Sequence, residues 1–220
     1  MGKLIVIDGL DGSGKSTQLE LLRTRLEQDG ITSRHISFPD YEQPSSALVR
    51  LYLNGELGGS ASSVNAYAAS SFYAVDRYAS YKTFWEEDYV AGVPVVAARY
   101  TTSNAIHQMT KLPKEEWDAF LVWLEDYEYN KLGLPKPDKV VFLDMPLEVS
   151  QRLLAKRYDG DEGKKDIHER DVHYLEQCRT AALYAAERLG WTVVPCSDGE
   201  NPFPPAVIHQ KLFNCFQEML

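Results

Sequence analysis

The 220-residue sequence is poor in cysteine, and its three, Cys178, Cys196 and Cys215, are odd in number and scattered, with no Cys-x-x-Cys pair. That pattern excludes a disulfide framework and a cysteine-built zinc site, and buried reduced thiols are expected instead. Long apolar runs are missing too. Without about 18 consecutive apolar residues, no membrane-spanning helix is expected. The opening "MGKLIVIDG" lacks the basic, apolar and small-residue segments of a secretory signal, so the protein is expected to be soluble and cytoplasmic. Positive charge is in short supply. Lys and Arg number 23 against 32 Asp and Glu, a formal net charge of -9, which argues against broad binding to nucleic acid or anionic membrane.

What is present is enough apolar material, 44% of the residues, to bury a full core, and the length favours one domain over residues 1–220. Short apolar runs alternate with helical patterns, the signature of a parallel α/β sheet covered on both faces. Runs at 4–8, 33–38, 94–98, 140–144 and 192–195 predict five strands. Helices are predicted over 17–28, where Leu19, Leu22 and Leu26 keep a helical period before a Gly30 cap, and over 45–54, 64–88, 114–130, 147–157, 169–189 and from 205 onward. "KRYDGDEGKKDIHERD" at 156–171 is polar, charged and glycine-punctuated, and by default such a run is a solvated loop.

The first strand runs into "IDGLDGSGKST", residues 7–17, in which Gly9, Gly14, Lys15 and Ser16 match G-x-x-x-x-G-K-[ST] between a strand and an amphipathic helix. In such a loop, running here through Leu10, Asp11, Gly12 and Ser13 to Thr17, backbone amides converge on phosphate oxygens and the helix dipole adds to them. Lys15 neutralises the outer phosphates of a nucleoside triphosphate, and the Ser16 hydroxyl ligates Mg2+. Asp11 is out of place there, because a carboxylate about 4 Å from a like charge costs roughly 4 kcal/mol near a protein surface. The acceptor is not named by this loop. A GTPase would carry Asn-Lys-x-Asp, whereas "NKLG" at 130–133 lacks the acid, and a motor-type ATPase needs a longer chain. A small-molecule kinase remains.

Four further stretches bear on the acceptor: "SFPDY" (37–41), "SFYAVDRYAS" (71–80), "VVAARYTTSNAIHQ" (95–108) and "GLPKPDKVVFLDMP" (133–146). Together with the phosphate loop, in this order and spacing over nearly the whole chain, they resemble the thymidylate kinase (dTMP kinase) family of P-loop nucleoside monophosphate kinases. The resemblance implies a three-layer α/β P-loop NTPase fold with a five-stranded parallel sheet, ATP as co-substrate, Mg2+, phosphorylation of dTMP to dTDP, and a homodimer. It places Arg77 on a thymine carbonyl, with Tyr73, one helical turn earlier, stacked on the base. A ring and a fork of donors at i and i+4 do share a helix face. It places Arg99 on the monophosphate, which suits a guanidinium, and makes Phe38 and Pro39 a wall of the pocket. Ser103 and Gln108 line the sugar and base, His107 stands where many members have an aromatic, and Asp11 accepts a hydrogen bond from the acceptor's 3'-hydroxyl.

The family's Asp-Arg-Tyr reads Ala-Arg-Tyr here, so an acid is missing at Ala98. A monophosphate oxygen, with a second pKa of about 6, needs no carboxylate base, whereas a nucleoside hydroxyl does. The loss therefore favours a monophosphate acceptor. It also leaves open another small kinase of this fold, or a weakly active or inactive nucleotide-binding relative. Because Gly12 follows Asp11 where one group of the family has an arginine, the chain resembles the group that supplies cations from a lid. Arg157 then leads as the bridge to the transferring phosphoryl group, with Arg152, Lys156, Lys164, Lys165 and Arg170 behind it, and Asp166 and Glu169 resemble an acidic pair of the lid, 156–171.

Overall fold

In β1 (Leu4–Gly9) all six residues are buried, as a central strand covered on both faces requires. The computed structural model describes residues 1–59, 63–157, 172–217 and 219. Around β1 lie β2 (Arg34–Ser37), β3 (Val95–Ala98), β4 (Lys139–Asp144) and β5 (Thr192–Pro195), in the order β2-β3-β1-β4-β5 with every pair parallel. Each predicted strand is present, with every end matching to within one residue.

Alternation along the strands separates two cores. Ile5, Ile7, Val96, Val141 and Leu143 face a layer that includes Leu22 and Leu26 of α1 (Lys15–Gln28) and Ile208, Leu212 and Phe213 of α9 (Pro205–Phe216). Leu4, Val6, Val95 and Ala97 face the opposite layer, with Trp85 and Tyr89, while Phe142 packs against Ile106 and Cys178. Register sets what meets what: Ile7 lies opposite Ala98 and Gly9 opposite Leu143, so the ends of three strands surround the turn after β1.

The remaining helices depart from prediction in instructive ways. Following α2 (Ala47–Leu53), the segment predicted as one helix over 64–88 is α3 (Ala66–Ser80), a π turn at Tyr81–Trp85, and α4 (Glu86–Val90). A second π turn, Asp126–Lys131, follows α6 (Trp117–Glu125). Each wide turn rotates the side chains after it relative to a continuous α-helix, and the wholly buried Glu128 lies within the second. Unpredicted is α5 (Thr101–His107). Its Thr, Ser and Asn residues are weak helix formers, and burial of Thr101, Thr102, Asn104, Ala105 and Ile106 holds it instead. The predicted α7 (Leu147–Arg157) is found as expected, and α8 is Val172–Leu189. The predicted lid beyond Arg157, with Lys164, Lys165, Asp166, Glu169 and Arg170, lies outside the described residues, as does the Arg157 side chain. No helix among the described residues is long and apolar enough to cross a membrane.

Leu22 is fully buried between α1 and the sheet. Leu22→Ala should lower stability by about 3 kcal/mol, read as a lower denaturation midpoint, whereas Leu48→Ala at an exposed position should change it by no more than about 0.5 kcal/mol.

Candidate active site

The turn from β1 into α1 is built on two glycines. Gly14 caps α1 at φ 93°, a conformation that side chains disfavour. Gly12, at φ 79°, lies so close to α7 that an added Cβ would stand 2.8 Å from the Ser150 carbonyl oxygen and 3.1 Å from Leu154 Cγ. An arginine at this position would have to displace helix backbone. Lys15 folds back over the turn, donating to the carbonyls of Gly9 at 2.8 Å and Leu10 at 2.9 Å. Burial, with the nearby positive Arg99 adding to it, lowers its pKa to about 8.

Arg99 follows β3 with φ 66°, the one non-glycine residue among those described with positive φ. Its amide donates to the Ile7 carbonyl at 3.0 Å, and Nη2 donates to Asp11 Oδ1. Asp11 also lies 3.7 Å from Lys15 Nζ. The misplaced carboxylate thus sits between two cations. Burial works against the charged Arg99, and Asp11, Asp8, Tyr41 and Tyr73 together outweigh it, raising the pKa.

A cavity of about 660 Å³ opens over these groups at the carboxyl ends of the strands, where ligands of open α/β sheets bind. It runs from the β2 side, past the loop of Asp11 to Thr17, to the β5 side. On the β2 side it is walled by Phe38, Pro39, Tyr73, Arg77, Ser103 and Gln108, all predicted for the acceptor. Phe38 is 4% exposed and tilted against Tyr100, their centroids 6.0 Å apart. Tyr73 is half-buried and meets the edge of Tyr52. Ser103 turns its hydroxyl to the buried Asp8, 2.8 Å away, and Gln108 Oε1 is buried with no donor among the described residues. Gly9 and Leu10 lie beneath the cavity and contribute carbonyls to Lys15.

Arg77 differs from the simplest expectation. It is 1% exposed, and its Nε and Nη2 donate to Glu128 at 2.7 and 2.5 Å. Glu128 also accepts from Thr101 at 2.9 Å and Asn104 at 3.0 Å, so the acid is a buried hub rather than a surface partner. Sequence reasoning missed Glu128, which lies 51 residues from Arg77; the available signal was its place one helical turn after Leu124, on the apolar face of the predicted helix. It also missed the apolar β5-side end of the cavity, formed by Met145, Leu153, Phe203, Pro205 and Ile208. The proline-rich "NPFPP" at 201–205 was the available signal.

The acid absent at 98 is not replaced by Asp8. Alternation puts Ala98 on the α1 side with Val96, whereas Asp8 faces α5 and accepts from Thr102 and Ser103. Of the secondary cations, Arg152 Nη2 donates to the Glu200 carbonyl and Lys156 is exposed. Among the described residues no cluster of three or more His, Cys, Asp or Glu could hold a metal. Ser16, exposed at the start of α1, would serve a Mg2+ ion held largely by substrate phosphates.

A phosphate loop at the centre of a five-stranded parallel sheet, with a second cationic group across a shared cavity, defines a P-loop phosphotransferase. The family model "Thymidylate kinase" matches residues 7–201. A thymidylate kinase of Mycobacterium tuberculosis is 36% identical over 185 residues, covering 83% of this chain and 84% of that protein. One from Caenorhabditis elegans is 29% identical, covering 68% and 66%. The solved structure of the Candida albicans thymidylate kinase superposes with a TM-score of 0.70 at 22% identity, covering 99% of this chain and 92% of that one, and supports the fold. The chain belongs to the thymidylate kinase family.

Removing one partner of the buried pair should leave the other charge uncompensated. Glu128→Ala should cost about 3 to 5 kcal/mol. The double variant Arg77→Met/Glu128→Leu should recover most of that loss in denaturant melts, and equal instability of the two variants would refute the assignment.

Proposed function

We propose that the cavity takes ATP and dTMP end to end, with their phosphates meeting over Lys15 and Arg99. As a thymidylate kinase the chain is a phosphotransferase that forms dTDP from dTMP. The observation that carries the residue assignment is the single cavity joining the phosphate loop, the Asp11–Arg99 pair and the wall of Tyr73 and Arg77. In this reading Gly12, Ser13, Gly14, Lys15, Ser16 and Thr17 bind the donor phosphates, and the donor base lies on the apolar surface of Leu153, Phe203 and Ile208. Arg99 takes the acceptor phosphate. Asp11, besides holding Arg99, accepts from the sugar 3'-hydroxyl, Tyr73 and Phe38 bracket the base, and Arg77 donates to it. Mg2+, held by Ser16 and the donor phosphates, would supply charge neutralisation of the transferring group.

Positioning and electrostatics carry the rate. Arg99 and Lys15 bring two like-charged phosphates together, and no covalent intermediate is needed because the acceptor oxygen is already ionised. Arg157 ends α7, the helix whose backbone closes on Gly12, and is the cation assigned to bridge the phosphoryl group. A homodimer, implied by family resemblance, has a candidate surface in the exposed Tyr67, Val75 and Tyr78 of α3 with Val122 of α6. Cytoplasmic location is part of the same reading. Coupled turnover with a panel of nucleosides and monophosphates tests it, with dTMP expected to be the preferred acceptor.

The Lys15 proton offers a pH test. Its pKa of about 8 in the ligand-free protein should rise when phosphates surround it, so ATP binding near pH 8 should take up about half a proton. Calorimetry in buffers of different ionisation enthalpy measures this. ATP affinity should fall as pH climbs above 8. Stability of the free protein should move the other way, because the unfolded chain keeps this proton to 10.5 and binds more protons across the window from 8 to 10.5. Lys111, lowered to about 8 by burial, adds to the stability change, so proton uptake on ATP binding is the specific readout.

Ala98 generates a second test. Turnover by the unmodified chain is expected, and Ala98→Asp, placing a carboxylate on the α1 side of the sheet, should lower the Mg2+ concentration giving half-maximal rate. Binding of both nucleotides without turnover, cured by Ala98→Asp, would overturn the catalytic assignment.

A further inference from the structure

His107, the last residue of α5, is held on both nitrogens. Its Nε2 lies 3.2 Å from Arg99 Nη1, and its Nδ1 lies 3.5 Å from both the Tyr174 hydroxyl and Cys178 Sγ on α8. The Tyr174 ring stacks on the imidazole at an interplanar angle of 28°, and its hydroxyl donates to the His107 carbonyl at 3.1 Å.

These contacts select a tautomer. A guanidinium has donors only, so Nη1 bonds to Nε2 only if that nitrogen carries a lone pair, which puts the proton on Nδ1. The Tyr174 proton is directed at the carbonyl, so its oxygen presents a lone pair toward Nδ1–H. Donors and acceptors therefore agree along the whole path from α8 to Arg99. Asp11 holds Nη2 of the same guanidinium, and the backbone at φ 66° is one that side chains rarely adopt and that surroundings must impose.

We propose that His107 is a positioning residue for the acceptor phosphate, its Nε2 and the Asp11 carboxylate holding the two arms of Arg99 ready for the phosphate of dTMP. This rests on the assignment of Arg99 to that phosphate. Pre-setting the fork removes the ordering that would otherwise accompany binding. A phenylalanine at this position could shape the sugar pocket but has no lone pair to accept from Arg99.

The test compares dissociation constants for dTMP and for thymidine, which lacks the phosphate, in four proteins. His107→Phe should weaken dTMP about tenfold, the loss expected for one bond from a charged donor, and leave thymidine within about twofold, which also shows that the pocket is folded. His107→Gln, whose Oε1 can reach the place of Nε2, should keep dTMP within about threefold of the unmodified protein. Arg99→Ala should abolish the preference for dTMP over thymidine. Parallel weakening of both ligands in His107→Phe, no change in either, or a Gln variant as poor as Phe would each overturn the inference while leaving Arg99 in place. A preference that survives Arg99→Ala would overturn both the inference and the Arg99 assignment.

Discussion

A carboxylate inside a phosphate loop is tolerable only where cations reach it before the phosphates do, and the site is arranged around that constraint. Asp11 belongs to the turn after β1 and Arg99 to the turn after β3, 88 residues later. They meet because β1 and β3 are neighbours in parallel register, so both turns emerge at the same end of the sheet. The Arg99 amide on the Ile7 carbonyl extends that register by one residue. With Lys15 on its other side, Asp11 makes the loop close to neutral in charge before any ligand arrives, and it spaces two cations that would otherwise repel each other.

The acceptor wall rests on a different kind of pair. Arg77 and Glu128 are wholly buried, and with Thr101 and Asn104 almost every strong donor and acceptor of the group is engaged. Such a network adds little net stability compared with an apolar core, because desolvation offsets the attraction. Its effect is geometric. The bidentate contact fixes the plane of the Arg77 guanidinium and ties α3, α5 and the π turn after α6 to one another. Asp76, on the same helix, accepts from the Asp40 amide and the Ser45 hydroxyl, so the loop after Pro39 is anchored to α3 as well.

What could be read from the sequence followed from how local each signal is. The strand, phosphate loop and helix are written in contiguous residues, and the five apolar runs needed no knowledge of pairing. Phe38, Tyr73, Arg77, Arg99, Ser103 and Gln108 do converge on one cavity, although family resemblance rather than periodicity selected them. Glu128 continues the apolar face of Trp117, Leu121 and Leu124, but an acid on such a face does not name the cation, 51 residues away, that it meets. Helix α5 was hidden because poor helix formers are kept helical by burial against α8 and the sheet, a tertiary effect that no local propensity reports. Neither the left-handed Arg99 nor the second acceptor on its guanidinium has any signature in residue order.

Gly12 joins these strands of reasoning. Read as a letter, it indicated only that no arginine stands in the loop. In the fold it is a contact: α7 approaches to where a Cβ would sit 2.8 Å from the Ser150 carbonyl oxygen. The helix that leads to the charged segment is therefore packed directly on the loop that receives the phosphates. A side chain at residue 12 and a close α7 are mutually exclusive, since both would fill the same volume. Removing the side chain from the loop thus does two things at once: it leaves the loop without a cation at residue 12 and lets α7, which ends at Arg157, pack against the loop. The choice between a loop cation and a helix-borne one is in this respect a packing choice, made by the volume of one residue before any electrostatic preference acts.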